Sequence, residues 1–297
     1  NMAAKSLAHS PASQLHVAAA QIKFARTIAG NLRKIEHFAG QAAQRNADAL
    51  LFPECATTGY GCDFAALRPG ELHDALRAVS AIARQYQLNL LVGTPVLARR
   101  KLYNCLVHFD RQGRAAYCYA KCHLTEMDRQ WFEPGNAVAL FTVDGVPATT
   151  VICHERRYPE LVRLAAMAGA QILFHPNAGM DVLAVSRAKR GGKDGIAVRA
   201  FENAIYYVFA NSVGPQDGGK YSAGDSKNDA PDERVLQLAD NQHEALLDAK
   251  LDLTLATRAY PLRALSRPKF LAPYWRKMLQ AVRRQAAAAT AQFELPR

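Results

Sequence analysis

The sequence predicts an α/β fold, a single domain in which strands, helices and hairpins alternate. Apolar strand signals such as "HVAAAQIKF", "ADALLFPE" and "LNLLVGTPVL" are interleaved with stretches of helical periodicity. No linker-like run of Pro, Gly or Ser divides the chain, and no internal repeat is evident. At 297 residues, 49% hydrophobic and 21% charged, the chain can bury a sizeable core.

Residues 1–14 are small and polar and are expected to be disordered. The strand "HVAAAQIKF" follows, then a helix from about Asn31 to Arg45. "ADALLFPE" reads as a second strand that stops at Pro53 and Glu54. Leu72, Leu76, Val79 and Ile82 fall at helical spacing and place a helix near 71–87, ahead of "LNLLVGTPVL". Two hairpins come next: "LYNCLVHFD" with "AAYCYAK", turning through Arg111, Gln112 and Gly113, and "AVALFTV" with "ATTVICH", turning through Asp144 and Gly145. A helix "PELVRLAAMAGA" closed by Gly169 leads to the strand "QILFHPN", a helix near 185–204 and the strand "AIYYVFANSV". A polar, Gly- and Asp-rich loop over 215–234 and a closing strand, "EALLDAKLDL", complete the body.

The net charge of +11 is unevenly placed. From Arg258 to Arg297 nine Lys or Arg stand against one acid, Glu294, a net +8, so the body carries only +3. No zinc-finger spacing or RNA-recognition signature accompanies the basic segment, so no nucleic-acid partner is expected. Trp275, Met278, Leu279 and Val282 form an i, i+3, i+4, i+7 stripe, expected to dock an amphipathic helix on the body or a neighbour. The stripe is short and alanine-rich, and no run of about 18 apolar residues or signal peptide is present, so a cytoplasmic protein with no membrane partner is expected.

Six cysteines, at 55, 62, 105, 118, 122 and 153, form no regular framework and are expected to be reduced. Cys118 and Cys122 with His123 hint at zinc, but no second matching pair exists, and no metal is expected. Three apolar runs instead stop at a reactive side chain: Glu54 after "LLFP", Lys121 after "YCYA" and Cys153 after "TTVI". Each alone reads as a solvated strand end. Brought together, they supply a base, a cation and a nucleophile, the set that covalent catalysis requires.

In these motifs the chain resembles the carbon–nitrogen hydrolases, or nitrilase superfamily. The resemblance runs through "LLFPECATTGY", "YAKCHLTEMDRQWFEPGN", "VICHERRYPELVRLAAMAGAQILFHPN", "RAFENAIYYVFAN" and "AGDS", in order over about 200 residues. It implies a four-layer α-β-β-α sandwich over residues 15–257, with 258–297 as a basic extension, and a catalytic triad of Glu54, Lys121 and Cys153. It also implies a homodimer or larger homo-oligomer and no cofactor.

In this reading a small linear amide or N-carbamoyl compound is hydrolysed through a Cys153 thioester, releasing ammonia. A nitrilase working through a thioimidate is the near alternative, and a non-catalytic scaffold using the basic tail is the distant one. Many members add a second glutamate seven residues after the lysine. Here that position is Asp128, one methylene shorter, with Glu126 as the less favoured substitute. "CHERRYPE" is similar to the stretch in carbamoyl-D-amino-acid hydrolases where arginine holds a substrate carboxylate, which makes Arg156 and Arg157 substrate-binding candidates. The competing reading pairs them with Glu155 or Glu160 to brace the turn. His154, Tyr60 and Asn177 complete the substrate-binding candidates. A Cys153–His154 dyad is disfavoured, because neighbouring strand residues point to opposite faces.

Overall fold

The computed structural model describes residues 13–189 and 195–296. Residues 1–12 of the expected disordered N-terminus lie outside the described residues. The last two residues of that segment are part of the fold: the Ser13 carbonyl accepts the Leu253 N–H at 2.9 Å, and β1 spans Gln14–Gln21.

The first sheet contains β1, β2 (Ala49–Leu51), β3 (Asn89–Ala98), β4 (Lys101–Phe109), β5 (Ala115–Ala120) and the last strand, β15 (Ala245–Asp252), in the order β15-β1-β2-β3-β4-β5. The second contains β6 (Phe141–Val143), β7 (Val146–Thr150), β8 (Ile172–Asn177), β10 (Tyr206–Asn211), β13 (Lys227–Asp229) and β14 (Val235–Leu238), in the order β14-β13-β10-β8-β7-β6. Three short strands, β9 (Met180–Asp181), β11 (Val213–Pro215) and β12 (Tyr221–Ala223), form a small third sheet. β1, β2 and β3 run parallel, as do β7, β8 and β10, which explains their nearly continuous apolar sequences: such strands are covered on both faces.

Side-chain alternation sorts these residues into layers. Leu15, Val17, Ala19, Leu51 and Leu91 meet Ile172, Phe174, Tyr206 and Val208 between the two sheets. On the outer face of the first sheet, Ala18, Leu50 and Leu90 pack with Ile35 and Phe38 of α1 (Ile28–Gln44) and with Leu76 and Val79 of α2 (Pro69–Tyr86). On the outer face of the second, Leu173, Tyr207 and Phe209 pack with Leu161 and Val162 of α3 (Pro159–Ala168). The result is the four-layer α-β-β-α sandwich.

Several boundaries differ from the sequence reading for identifiable reasons. α1 starts three residues early because the Thr27 side chain caps it, accepting the Gly30 N–H at 3.1 Å. The helix expected over 185–204 is instead two short ones, α4 (Leu183–Ala188) and α5 (Val198–Phe201), with 190–194 outside the described residues. The expected loop over 215–234 contains β12 and β13. In β13 the buried Lys227 and Asp229 pair at 3.2 Å, an arrangement that local strand propensity does not announce.

α6 (Ala259–Ala264) and α7 (Ala272–Ala289) form the C-terminal region. α7 packs against α3 and β5, but its seam is Leu279, Val282, Ala286 and Ala289. Met278, expected on that seam, is 42% exposed. Beyond α7, the Thr290 hydroxyl accepts the Cys118 N–H at 3.0 Å and Phe293 enters the core edge-on to Tyr103. Among the described residues no helix is long and apolar enough to cross a membrane.

Candidate active site

The parallel strands of both sheets end at one rim, where Ile22, just beyond β1, bridges to Ser212, just beyond β10. Glu54 follows β2, Lys121 follows β5, Cys153 follows β7 and Asn177 ends β8. Reactive side chains at the carboxyl ends of parallel strands suit an α/β crevice. Two glycines make the approach of these loops possible. A Cβ on Gly93 would collide with the backbone of Pro53 and Glu54, and one on Gly135 would collide with the Ala120 carbonyl beside Lys121.

Glu54 and Lys121 are fully buried, and Asp128 is 1% exposed. Lys121 Nζ lies between the two carboxylates, donating to Glu54 Oε1 at 2.7 Å and pairing with Asp128 Oδ2 at 2.8 Å. Burial alone would lower the lysine's pKa, but Glu54 and Asp128 hold it well above its usual value. Burial works against the Asp128 carboxylate too; the Lys121 charge and hydrogen bonds outweigh it and hold its pKa below the usual range. Asp128 Oδ1 accepts the Tyr60 hydroxyl at 2.8 Å, and Oδ2 accepts the Thr125 N–H at 2.9 Å. The Glu126 side chain is 92% exposed, so the shorter acid is the one the fold directs inward. Glu54 Oε1 also accepts the Asn104 side-chain N–H at 2.7 Å, while Oε2, equally buried, has no partner among the described residues.

Cys153 corrects the sequence reading in one respect. β7 stops at Thr150, and Cys153 opens a short 3-10 turn, Cys153–Arg157, with φ +49°. A side chain rarely adopts that backbone, which costs about 1–2 kcal/mol and lifts the thiol off the strand end. The alternation argument that separated His154 from Cys153 therefore does not apply. His154 is nonetheless turned to an edge-on contact with Tyr158, their rings 5.9 Å apart. Burial, followed by the Glu54 charge, pushes the Cys153 thiol up to about 12, so it is protonated at neutral pH.

The turn is held from two directions. His175 Nε2 lies 3.1 Å from the Cys153 carbonyl and Nδ1 lies 2.6 Å from the Tyr207 hydroxyl. Burial pushes this imidazole down to about 3, so it stays neutral. Glu155, fully buried, accepts the N–H of Ile152 at 2.8 Å through Oε2. Through Oε1 it accepts the N–H of Cys122 at 2.7 Å, the Tyr119 hydroxyl at 2.9 Å and the N–H of His123 at 3.2 Å. One carboxylate thus ties the residue before Cys153 to the residue after Lys121.

Among the described residues, the arginines are not paired with Glu155 or Glu160. Glu155 is engaged elsewhere, and Arg156 Nη1 reaches the Cys153 carbonyl at 3.3 Å. Arg157 is exposed. Tyr60 joins the site through Asp128. Asn177 is fully buried and donates to Asn211 Oδ1 at 3.0 Å, and its own Oδ1 has no partner among the described residues. Asn104, not singled out from the sequence, and Glu155, named there only as a partner for the arginines, are the additions. The signals available for them were a polar residue inside the apolar strand "LYNCLVHFD" and an acid two places after the cysteine. Among the described residues no cluster of three or more His, Cys, Asp or Glu could hold a metal ion, and the Cys122 thiol donates to the Ala137 carbonyl at 3.2 Å.

The family model of the carbon-nitrogen hydrolases matches residues 16–260. The chain belongs to that family. Among the relatives of this carbon–nitrogen hydrolase, a Pseudomonas protegens protein named "Hydrolase in pqqF 5'region" is 32% identical over 251 residues, covering 81% of this chain and 82% of that one. The 2-oxoglutaramate amidase of Bacillus subtilis is 28% identical over 233 residues, 75% of this chain and 85% of that one. Among solved structures, a variant of the amidase from Nesterenkonia sp. AN1 in complex with butyramide aligns with a TM-score of 0.74 at 25% identity, covering 88% of this chain and 97% of that one.

Proposed function

We propose that this carbon–nitrogen hydrolase is an amidase that cleaves a small linear amide or N-carbamoyl compound through a Cys153 thioester. The observation that carries the reading is the buried Lys121 ammonium, held between Glu54 and Asp128, with the charges of Glu54 and Lys121 acting on the thiol of a cysteine on a positive-φ turn.

The electrostatics favour general-base catalysis over a preformed thiolate. Burial first, and then the Glu54 charge, outweigh the nearby Lys121 and Arg156 cations and keep the thiol protonated at rest. As Sγ bonds to the substrate carbonyl carbon, the thiol proton passes to Glu54. The carbonyl π pair moves onto oxygen, where the Lys121 ammonium stabilises it: an ammonium has three donors, and two are committed to the carboxylates. The backbone N–H of His154 is the proposed second donor. Glu54 then returns the proton to the leaving nitrogen as the C–N bond breaks. It next takes a proton from water attacking the thioester, and gives it to the departing sulfur to restore the thiol.

Asp128 and Tyr60 hold the lysine in place, and the unpartnered Asn177 Oδ1 is offered as an acceptor for a substrate N–H. A short aliphatic amide in the Nesterenkonia amidase complex and the acidic amide named for the Bacillus enzyme both support a small linear substrate. With Arg156 Nη1 on the Cys153 carbonyl, Arg157 is the freer group for a substrate carboxylate.

The test is mass spectrometry of the protein incubated with amides, carbamoyl amino acids and nitriles, with ammonia release followed in parallel. An acyl adduct on Cys153 and ammonia from an amide or carbamoyl compound are the expected results. Identical behaviour of wild type and Cys153→Ala across the panel overturns the proposal. Arg157→Ala should raise KM for acidic substrates alone; an equal rise for neutral amides would remove the carboxylate role.

A further inference from the structure

Asn104 lies on β4, fully buried, and is tied to both Glu54 and the backbone of Lys121 at the rim. Its backbone carbonyl accepts the Lys121 backbone N–H at 2.8 Å, and its side-chain N–H donates to Glu54 Oε1 at 2.7 Å. Its Oδ1 accepts the Cys55 thiol at 3.7 Å. These contacts fix the amide's orientation, because the flipped amide would set an oxygen against a carboxylate oxygen at 2.7 Å. Oε1 of Glu54 therefore holds two strong donors, Asn104 and Lys121, while Oε2 is buried with none among the described residues.

We propose that Asn104 is a positioning residue that dedicates Oε2 of Glu54 to proton transfer; the inference rests on the thioester reading above. A carboxylate oxygen carrying two donors, one of them cationic, is the poorer proton acceptor, and the free lone pairs sit on its twin. The terminal torsion of a glutamate is broad and nearly two-fold, so side-chain packing alone does not keep the two oxygens distinct. Without the Asn104 N–H, the carboxylate can turn and let the Lys121 ammonium bridge both oxygens, which occupies the one that must accept the thiol proton. Glu54 acts in both half-reactions, so thioester formation and thioester hydrolysis lose speed together while substrate binding does not change.

The test uses the full chain with an amide substrate taken from the panel above. Asn104→Asp preserves shape but replaces the donor with an acceptor; Asn104→Ala removes it. Loss of one hydrogen bond to a charged group lowers kcat by about 10- to 200-fold. Single-turnover acylation and hydrolysis of the isolated thioester should slow by similar factors. Substrate affinity measured in a Cys153→Ala background should be unchanged by adding either Asn104 substitution. For Asn104→Asp, the ratio of variant to wild-type activity should rise as the pH is lowered from about 8 to about 5, because protonating the introduced carboxyl restores a donor. If Asn104→Ala fails to fold, Asn104→Asp alone decides. A flat ratio across pH, slowing of only one half-reaction, or a weakened affinity equal to the rate loss overturns the proposal. Failure of the underlying reading looks different: Cys153→Ala would then be as active as wild type.

Discussion

Glu155→Gln tests how the proposed nucleophile and cation are kept at a working distance. The substitution conserves size but turns one carboxylate oxygen into an amide N–H₂. The less harmful orientation keeps an oxygen toward Cys122, Tyr119 and His123 and sets the N–H₂ against the Ile152 N–H. That forfeits one hydrogen bond to a charged acceptor, about 1.5–3 kcal/mol, and weakens three others to neutral strength. Relief from burying a charge offsets part of this, leaving about 2–4 kcal/mol of lost stability. For a chain of this size that corresponds to a fall in Tm of roughly 5–10 °C. Catalysis suffers as well, since Ile152 immediately precedes Cys153 and Cys122 immediately follows Lys121; a misplacement near 1 Å costs about 100-fold in kcat.

The pH dependence has a definite sign. Burial raises the Glu155 carboxyl above its usual value of 4.5, outweighing its hydrogen bonds, so the folded protein binds this proton more readily than the unfolded chain. The residue's contribution to stability is then greatest below the usual carboxyl range and declines as pH rises through the raised value. The stability gap between wild type and Glu155→Gln should accordingly narrow as pH rises from about 4 to about 7. Thermal unfolding across pH and kcat on an amide measure both effects. A Tm within about 1 °C and kcat within about twofold of wild type would refute the bracing role.

Further outcomes follow from the same geometry. Glu54→Gln leaves the burial that chiefly raises the Cys153 thiol but removes the charge that adds to it, so the pH onset of iodoacetamide alkylation should fall below that of wild type while amide turnover drops by at least about 100-fold. An unchanged onset would mean Glu54 does not act on the thiol. Gly93→Ala drives a methyl into the backbone of Pro53 and Glu54 and should cost about 1–3 kcal/mol together with most of the activity; normal denaturant unfolding and kcat would contradict the close approach. Asp128→Asn removes a carboxylate whose pKa is lowered by its partners, so the stability it contributes should be present at neutral pH and disappear on acidification below the usual carboxyl range, as read by Tm against pH.

Glu54, Lys121 and Cys153 were legible because each interrupts an apolar run, and because the motifs around them occur in a specific order. Their supports were not, since contacts such as Asn104 with Glu54 and Glu155 with Tyr119 join residues 50 and 36 apart. Nothing local marks such a pairing. Cys153 looked like a strand-end residue because "TTVI" continues the apolar pattern, yet the strand ladder stops at Thr150 and the chain turns under the pull of Glu155 and His175. "KND" of β13 carries no strand signature at all; burial against β10 makes it one. The α7 stripe was predicted with Met278 on its seam, but periodicity cannot choose which side of an alanine-rich helix faces inward, and the partner surface selected Ala286 and Ala289.

Glu54 and Lys121 are suspended from one sheet and Cys153 from the other. The gap between proposed base and nucleophile is therefore set by the thickness of the apolar filling between the sheets, in which Leu51 and Phe174 lie below the rim. Close-packed interiors transmit a volume change of even one methylene. Residues with no chemistry of their own thus act as shims for the reaction coordinate. A laboratory evolution campaign for turnover would then enrich substitutions in this interior as readily as in the pocket wall.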